Sequence, residues 1–240
     1  MRIGGVPHVT YCEPFVGMGG VFLRRPFRAE SEIINDISLD VATLFRVLQR
    51  HYVAFLDMLR WQLTGRAEFE RLLAANADTL TDLERAARFL YLQRTTFGGK
   101  VNGRSFGVSP GLPGRFDVTK LATLLEEVHE RLSGVVIERL PWPELLRRYD
   151  REGSLFYLDP PYYGSETDYG AGIFSRDDFA VLADALAALR GRFILSLNDR
   201  PEVRRIFAAF QIEGMETIHS IGGGSRATRV AELLISDGRG

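Results

Sequence analysis

The chain has 240 residues, 45% hydrophobic and 25% charged, the balance of a soluble globular protein with one large domain or one domain carrying an insertion. No apolar run approaches the roughly 20 residues of a membrane helix, and the N-terminus MRIGGVPHVTYCEP lacks the apolar stretch of a secretory signal. A net charge of −1 and one cysteine, Cys12, exclude a globally basic protein, an intramolecular disulfide and a Cys-rich metal site, and a cytoplasmic location is the expectation.

In chain order, residues 8–13 (HVTYCE) read as a short strand, FVGMGGVFLRR as a glycine turn leading into a helix, and residues 32–36 as a second buried strand. SLDVATLFRVLQR is an amphipathic helix with Ser38 as its N-cap. This β-α-β-α opening predicts an α/β fold built on a doubly wound, mostly parallel sheet. From His51 to Arg94 the pattern is helical without strands, and Thr81 with Glu84 makes a capping box. TTFGGKVNGRSFGV reads as a loop and hairpin, and FDVTKLATLLEEVHERL as a helix capped by Asp117. Alternation resumes at Gly134 with strand GVVIERL and helix PWPELLRRY, its prolines in the first turn. Strand SLFYLD, a helix over 175–190, strand RFILSLND, helix PEVRRIFAAF and a closing strand pair at 211–218 and 230–236 follow. The predicted organisation is an α/β domain of residues 1–50 and 134–240, interrupted by a mainly helical insertion at 51–133.

The cations are 28 Arg against 2 Lys. Residues 85–120 hold seven of them (Arg85, Arg88, Arg94, Lys100, Arg104, Arg115, Lys120) against one acid, Asp117, a local net of +6. A neutral protein with such a segment can meet a polyanion through it; a solvated charged face is the alternative. The four histidines (His8, His51, His129, His219) show no ligand spacing, so no metal is expected. Trp61 and Trp142 are expected to be packing residues.

EPFVGMGG offers Gly17 and Gly19 in a G-x-G turn, but Phe22 stands where a dinucleotide-binding pattern needs a third glycine. The next strand ends in Asp36, placed to accept hydrogen bonds from ribose hydroxyls. A glycine turn followed by such an acid suggests an adenosine-containing cofactor without a pyrophosphate; a plain turn and a surface Asp are the alternative.

LFYLDPPYYG raises a different chemistry. Ligands of open α/β sheets bind beyond the carboxyl ends of the strands, and Asp159 stands at such an end. Pro160 and Pro161 remove two backbone donors and fix their own φ. What remains is acceptor character, the Asp159 carboxylate and the Pro160 carbonyl, which suits a group presenting two N–H donors. Tyr162 adds a flat face for stacking. Together they describe a pocket for an amino group on a planar ring. Tyr163 has no assignable role. Asn198 and Asp199 end a strand at the same sheet edge, as pocket lining or as caps before Pro201.

With these residues in hand, the chain resembles the DNA adenine-N6 methyltransferases, the class that includes the bacterial and phage DNA adenine methyltransferases. EPFVGMGGVFL is similar to the family's S-adenosylmethionine loop, IINDIS to its ribose-binding segment, YLQRTTFGGK to its DNA-contacting loop and FYLDPPYYG to its catalytic motif. The resemblance implies S-adenosylmethionine held by Glu13, Pro14, Phe15, Gly17, Gly19 and Asp36, with Asp159 bordering it. It implies catalysis by Asp159, Pro160, Pro161 and Tyr162 on an adenine flipped out of double-stranded DNA. The insertion becomes a target-recognition region, with Phe97 entering the base stack and Arg94, Lys100 and Arg104 contacting phosphate or base edges. Arg226 and Arg229, in GGGSRATR, are further phosphate contacts. A monomer that needs neither metal nor membrane is the expectation. Family members carry a Gly-Gly-Lys segment and a helix ahead of the Glu-Pro-Phe strand. Here only seven residues separate Gly5 from Glu13, which leads to the expectation of a shortened cofactor-holding segment. A methyltransferase-derived DNA-binding module with weak or no turnover stays open. So does methylation of another planar amine or amide: RNA adenine, cytosine N4 or protein glutamine.

Overall fold

The computed structural model describes residues 5–96, 104–107, 116–166, 173–220 and 227–239, with backbone alone for 217–220 and 227–230. The strands are β1 (Thr10–Glu13), β2 (Ser31–Asn35), β3 (Val136–Glu138), β4 (Ser154–Leu158), β5 (Arg192–Asn198), β6 (Gln211–Ser220) and β7 (Ala227–Ser236). The helices are α1 (Leu39–Arg50), α2 (Tyr52–Arg60), α3 (Arg66–Ala74), α4 (Asp82–Thr95), α5 (Val118–Arg131), α6 (Trp142–Tyr149), α7 (Asp178–Ala187) and α8 (Pro201–Ile206). They fall into two compact units, Met1–Ile37 with Gly134–Gly240, and Ser38–Ser133. The first join thus precedes α1, which the sequence pattern placed in the α/β domain with a boundary at 50. Packing decides this: α1 lies against α4 and α5 of its own unit.

In the first unit the strands form one sheet in the order β3-β2-β1-β4-β5-β7-β6. β1 to β5 pair in parallel, and β7 runs antiparallel to both β5 and β6. This is the expected doubly wound, mostly parallel α/β architecture. The strand order reverses between β1 and β4, which are neighbours in register Cys12↔Phe156. That is the switch point beyond whose strand ends open α/β sheets bind ligands. Alternate residues of the central strands (Cys12, Phe156, Leu158, Phe193, Leu195, Leu197) point to one face. There they meet Trp142, Leu145 and Leu146 of α6, Phe179, Leu182 and Leu186 of α7, and Val203 of α8. Each such side chain, fully buried, stabilises the fold by about 1.5–3 kcal/mol.

The helix expected after the glycine turn does not form. A single 3-10 turn, Phe22–Arg24, stands in its place, and Arg25 is already extended at φ −65°, ψ 128°. Pro26 is the cause, since its ring excludes the helical conformation from the residue before it. Arg25 is instead anchored by its charge. It pairs with Glu32 at 3.0 Å, both side chains almost fully buried, and its guanidinium lies 3.4 Å from the centre of the Tyr11 ring.

The second unit is helical. Thr81 and Glu84 form the predicted capping box at the start of α4, and Asp117 caps α5 through the Thr119 N–H. Phe45 and Leu48 of α1, Phe55 and Leu59 of α2, and Leu90 and Leu92 of α4 are buried here. Arg85, counted in the basic segment, is buried and bonded to Asp40 at 2.7 Å and Asp78 at 2.8 Å. Arg88 donates to the Leu72 carbonyl at 2.7 Å. These two arginines therefore hold helices together rather than form a charged face. Trp142 is buried as expected, but Trp61 is 85% exposed just past the end of α2, because the apolar face of that helix is spent on Phe55 and Leu59.

Candidate active site

β1 and β4 deliver the two motifs to one sheet edge. After Glu13 the chain turns through Gly17 and Gly19, both at positive φ, +50° and +73°. Side chains rarely adopt that backbone, so glycine is the fitting residue. The Gly17 N–H donates to Asp36 Oδ2 at 2.9 Å, which locks the turn to the end of β2. A Cβ at Gly17 would meet nothing within 4 Å, so the turn opens onto free space. Phe22 is fully buried and occupies the place of a third glycine with core packing. Phe15 sits edge-on to Phe174, with centroids 6.0 Å apart.

Glu13 is only 2% exposed and accepts the Tyr11 hydroxyl at 2.5 Å. Burial, then the neighbouring Glu13 carboxylate, pushes the Tyr11 hydroxyl well above its ordinary value, so it stays a donor. Asn35 was not singled out from sequence. It is 1% exposed, and its amide donates to the Pro14 carbonyl at 2.8 Å and the Leu140 carbonyl at 3.1 Å, while Oδ1 accepts the Leu140 N–H at 2.8 Å. One side chain thus ties the ends of β1 and β2 to the entry of α6. The only sequence sign of it is a short amide closing an apolar strand, EIIN.

At the other motif, the residues of β4 are all buried, Asp159 is exposed, and Pro160 and Pro161 are buried again. One carboxylate therefore emerges between a strand and a rigid turn. The Tyr162 carbonyl accepts the Ser165 N–H at 2.8 Å across a turn whose third residue, Gly164, has φ +90°. That is the position at which a type II turn needs glycine. Tyr163 gains a role here. Its ring packs on Phe179 at 5.2 Å, with the Arg176 guanidinium 4.8 Å from its centre. Asn198 clamps its peptide, accepting the Tyr163 N–H and donating to the Tyr163 carbonyl, both at 3.0 Å. Asp199 does not cap α8; it forms a bidentate pair with Arg204 at 2.7 Å. Tyr162 donates its hydroxyl to Glu232 Oε1 at 2.7 Å. Burial, then Asp159 and Glu232, raise that hydroxyl far above its ordinary value. Tyr157, beneath the same group, is raised by burial and then by Asp159. Glu232 escaped the sequence reading, although an acid inside the strand VAELLIS is a visible oddity.

In the helical unit, Arg94 is exposed in the last turn of α4. Arg104 is half-buried over the Phe89 ring at 5.8 Å and donates to Gln93 at 3.3 Å; burial, then Arg88, lowers its pKa. The two ends of the glycine-rich segment are pinned by an antiparallel Thr96–Phe106 bridge and by the Gly107 N–H donating to the Thr95 carbonyl at 2.8 Å. Phe97, Lys100 and Arg226 lie outside the described residues. Arg229 is placed by its backbone alone, in β7 opposite Ile218. Among the described residues no group of three or more His, Cys, Asp or Glu could hold a metal ion, and no helix is long and apolar enough to cross a membrane.

The chain is 28% identical to a DNA adenine methylase of Vibrio cholerae, covering 92% of this chain and 84% of that protein. It is 25% identical to the type II methyltransferase M1.LlaDCHI of Lactococcus lactis subsp. cremoris, over 97% of this chain and 90% of the relative. It is 20% identical to the type II methyltransferase M.CviBI of Paramecium bursaria Chlorella virus NC1A, over 84% and 77%. The model of the D12 class N6 adenine-specific DNA methyltransferase family matches residues 6–221. With a glycine turn and an Asp-Pro-Pro-Tyr turn at the switch point of a doubly wound sheet, the chain belongs to the D12 class of N6 adenine-specific DNA methyltransferases.

Proposed function

We propose that this DNA adenine methyltransferase takes its methyl group from S-adenosylmethionine and places it on N6 of an adenine flipped out of double-stranded DNA. The observation that carries this reading is the exposed Asp159 carboxylate, standing between buried β4 and buried prolines beside the end of β1. The residues suit the donor. Gly17 leaves open space, Asp36 is half-buried beside it, and the buried Phe22 leaves no third glycine of the kind a pyrophosphate uses. Phe15, Gly17, Gly19 and Asp36 would hold the cofactor, with Glu13 and Pro14 shaping the turn from behind. When bound, S-adenosylmethionine supplies an electrophilic sulfonium methyl.

The protein's part is orientation and electrostatics. Adenine's amino nitrogen is a poor nucleophile because its lone pair is delocalised into the ring. Asp159 and the Pro160 carbonyl accept hydrogen bonds from its two N–H groups, which favours a more tetrahedral, more nucleophilic nitrogen; once methylated, that nitrogen sheds one of its two protons to solvent at the exposed Asp159 edge. Pro161 stiffens the turn, and Tyr162 stacks on the ring. Flipping costs a few kcal/mol of unstacking. Contacts from Arg94, Phe97, Lys100 and Arg104 of the inserted region, and from Arg226 and Arg229, offset that cost. The test is to incubate the protein with S-adenosylmethionine and duplex DNA and to measure N6-methyladenine by mass spectrometry. Duplex DNA should be methylated well ahead of RNA or protein. Methyl transfer to RNA or protein but not to DNA would refute the substrate. No transfer at millimolar cofactor would refute the methyl donor.

A further inference from the structure

Three hydrogen bonds reach the catalytic turn from one place, the antiparallel pairing of β5 with β7. Asn198 and Glu232 are direct partners in that ladder. Asn198 grips the peptide of Tyr163 by both its N–H and its carbonyl. Glu232 accepts the Tyr162 hydroxyl. β7 runs against β5, so its Glu232 is carried to the carboxyl end of β5, the edge where Asp159 leaves β4. We propose that Glu232 is a positioning residue for methyl transfer, fixing the Tyr162 ring on which the target base stacks while Asn198 fixes the peptide that follows.

This rests on the reading of Tyr162 as the stacking platform. A hydrogen bond to a carboxylate is shorter and roughly twice as strong as one between neutral groups, so it can hold a ring that its turn alone would leave to rotate. The raised pKa of the Tyr162 hydroxyl keeps the donor in place across the working pH range. Asn198 and Glu232 together set both ends of the Tyr162–Tyr163 unit. A base arriving at the pocket then meets a surface that is already oriented, and binding energy is not consumed in ordering it.

The test uses the full-length protein in single-turnover methylation of duplex DNA, with thermal melting alongside. Glu232→Ala should slow methyl transfer by roughly tenfold, the scale of one charge-assisted hydrogen bond partly lost. Tyr162→Phe, which removes that bond together with the hydrogen bond between Ser196 and the same hydroxyl, should slow it at least as much, and Glu232→Ala should add nothing in the Tyr162→Phe background. Glu232→Gln keeps an acceptor and should recover most of the rate, which a purely structural role would not require. A wild-type rate for Glu232→Ala, or a further full loss when it is added to Tyr162→Phe, would overturn the proposal. If Glu232→Ala does not fold, a wild-type rate for Tyr162→Phe overturns it instead. Tyr162→Ala separates the two levels: if it methylates normally the stacking reading fails, whereas a dead Tyr162→Ala beside a normal Glu232→Ala removes only the role of Glu232.

Discussion

Replacing Asn35 by Leu keeps the volume of the side chain close and deletes three hydrogen bonds, to the Pro14 carbonyl and to both backbone groups of Leu140. The Pro14 bond is buried, so leaving that carbonyl alone costs about 1–3 kcal/mol, while the half-buried Leu140 groups lose about 0.5–1.5 kcal/mol each. The expected loss is about 2–6 kcal/mol, a fall in Tm of roughly 5–20 °C for a chain of this size. Asn35→Asp sharpens the test, because it sets a carboxylate against two carbonyl oxygens that need donors. That repulsion and burial raise its pKa in the folded protein. The stability of this variant is therefore fullest below the unfolded value of about 4 and is lost as pH rises through the folded value. Thermal unfolding followed by circular dichroism between pH 4 and 8 reads both effects. The Leu variant should show a deficit that hardly moves with pH, and the Asp variant one that grows with it. An Asn35→Leu protein within about 0.5 kcal/mol of wild type would refute the view that this amide ties the strand ends together.

Further outcomes follow from single residues. Gly17→Ala should cost about 1–2 kcal/mol from positive φ alone, since its Cβ has room; an unchanged Tm would show that the turn relaxes. Trp61→Ser should leave stability within about 0.5 kcal/mol in urea unfolding, because the ring is exposed; a larger loss would show buried packing. Arg204 holds the Asp199 carboxyl below its ordinary 3.8, mainly by hydrogen bonding. With the folded pKa depressed, that contribution is present above about pH 4 and is lost as pH falls through the folded value. Arg204→Met should therefore melt below wild type at pH 7, with the difference closing in acid. A deficit of the same size at both ends of the titration would show that packing, not the pair, is lost.

Much of the sheet was legible because its central strands are short apolar runs that end in polar residues, as in SLFYLD and RFILSLND. Asp159 could be read as a site because local chemistry says nearly everything about it: an acid after a buried strand, then two residues without N–H groups. The capping box at Thr81 and Glu84 is equally local. What escaped the sequence depends on distance or on a single override. Pro26 cancels a helix that the apolar pattern of VFLRR supports. The Tyr162–Glu232 bond joins residues 70 apart in sequence, brought together only by the antiparallel pairing of β5 and β7. The burial of Glu13 against Tyr11 is likewise not announced by its motif. Basic residues of one segment look alike in sequence, but Arg85 and Arg88 are consumed inside the helical unit while Arg94 is exposed.

The central claim, that Asp159 activates the adenine amino group, is tested most directly by transfer of a labelled methyl group from S-adenosylmethionine to duplex DNA by Asp159→Ala. Thermal melting is recorded alongside, so that a loss of rate is read only from folded protein. The variant should still bind DNA and yet transfer methyl at least about 10²–10³-fold more slowly, the usual loss when one transition-state hydrogen-bond partner is removed. A folded Asp159→Ala protein that methylates adenine at the wild-type rate would contradict the account.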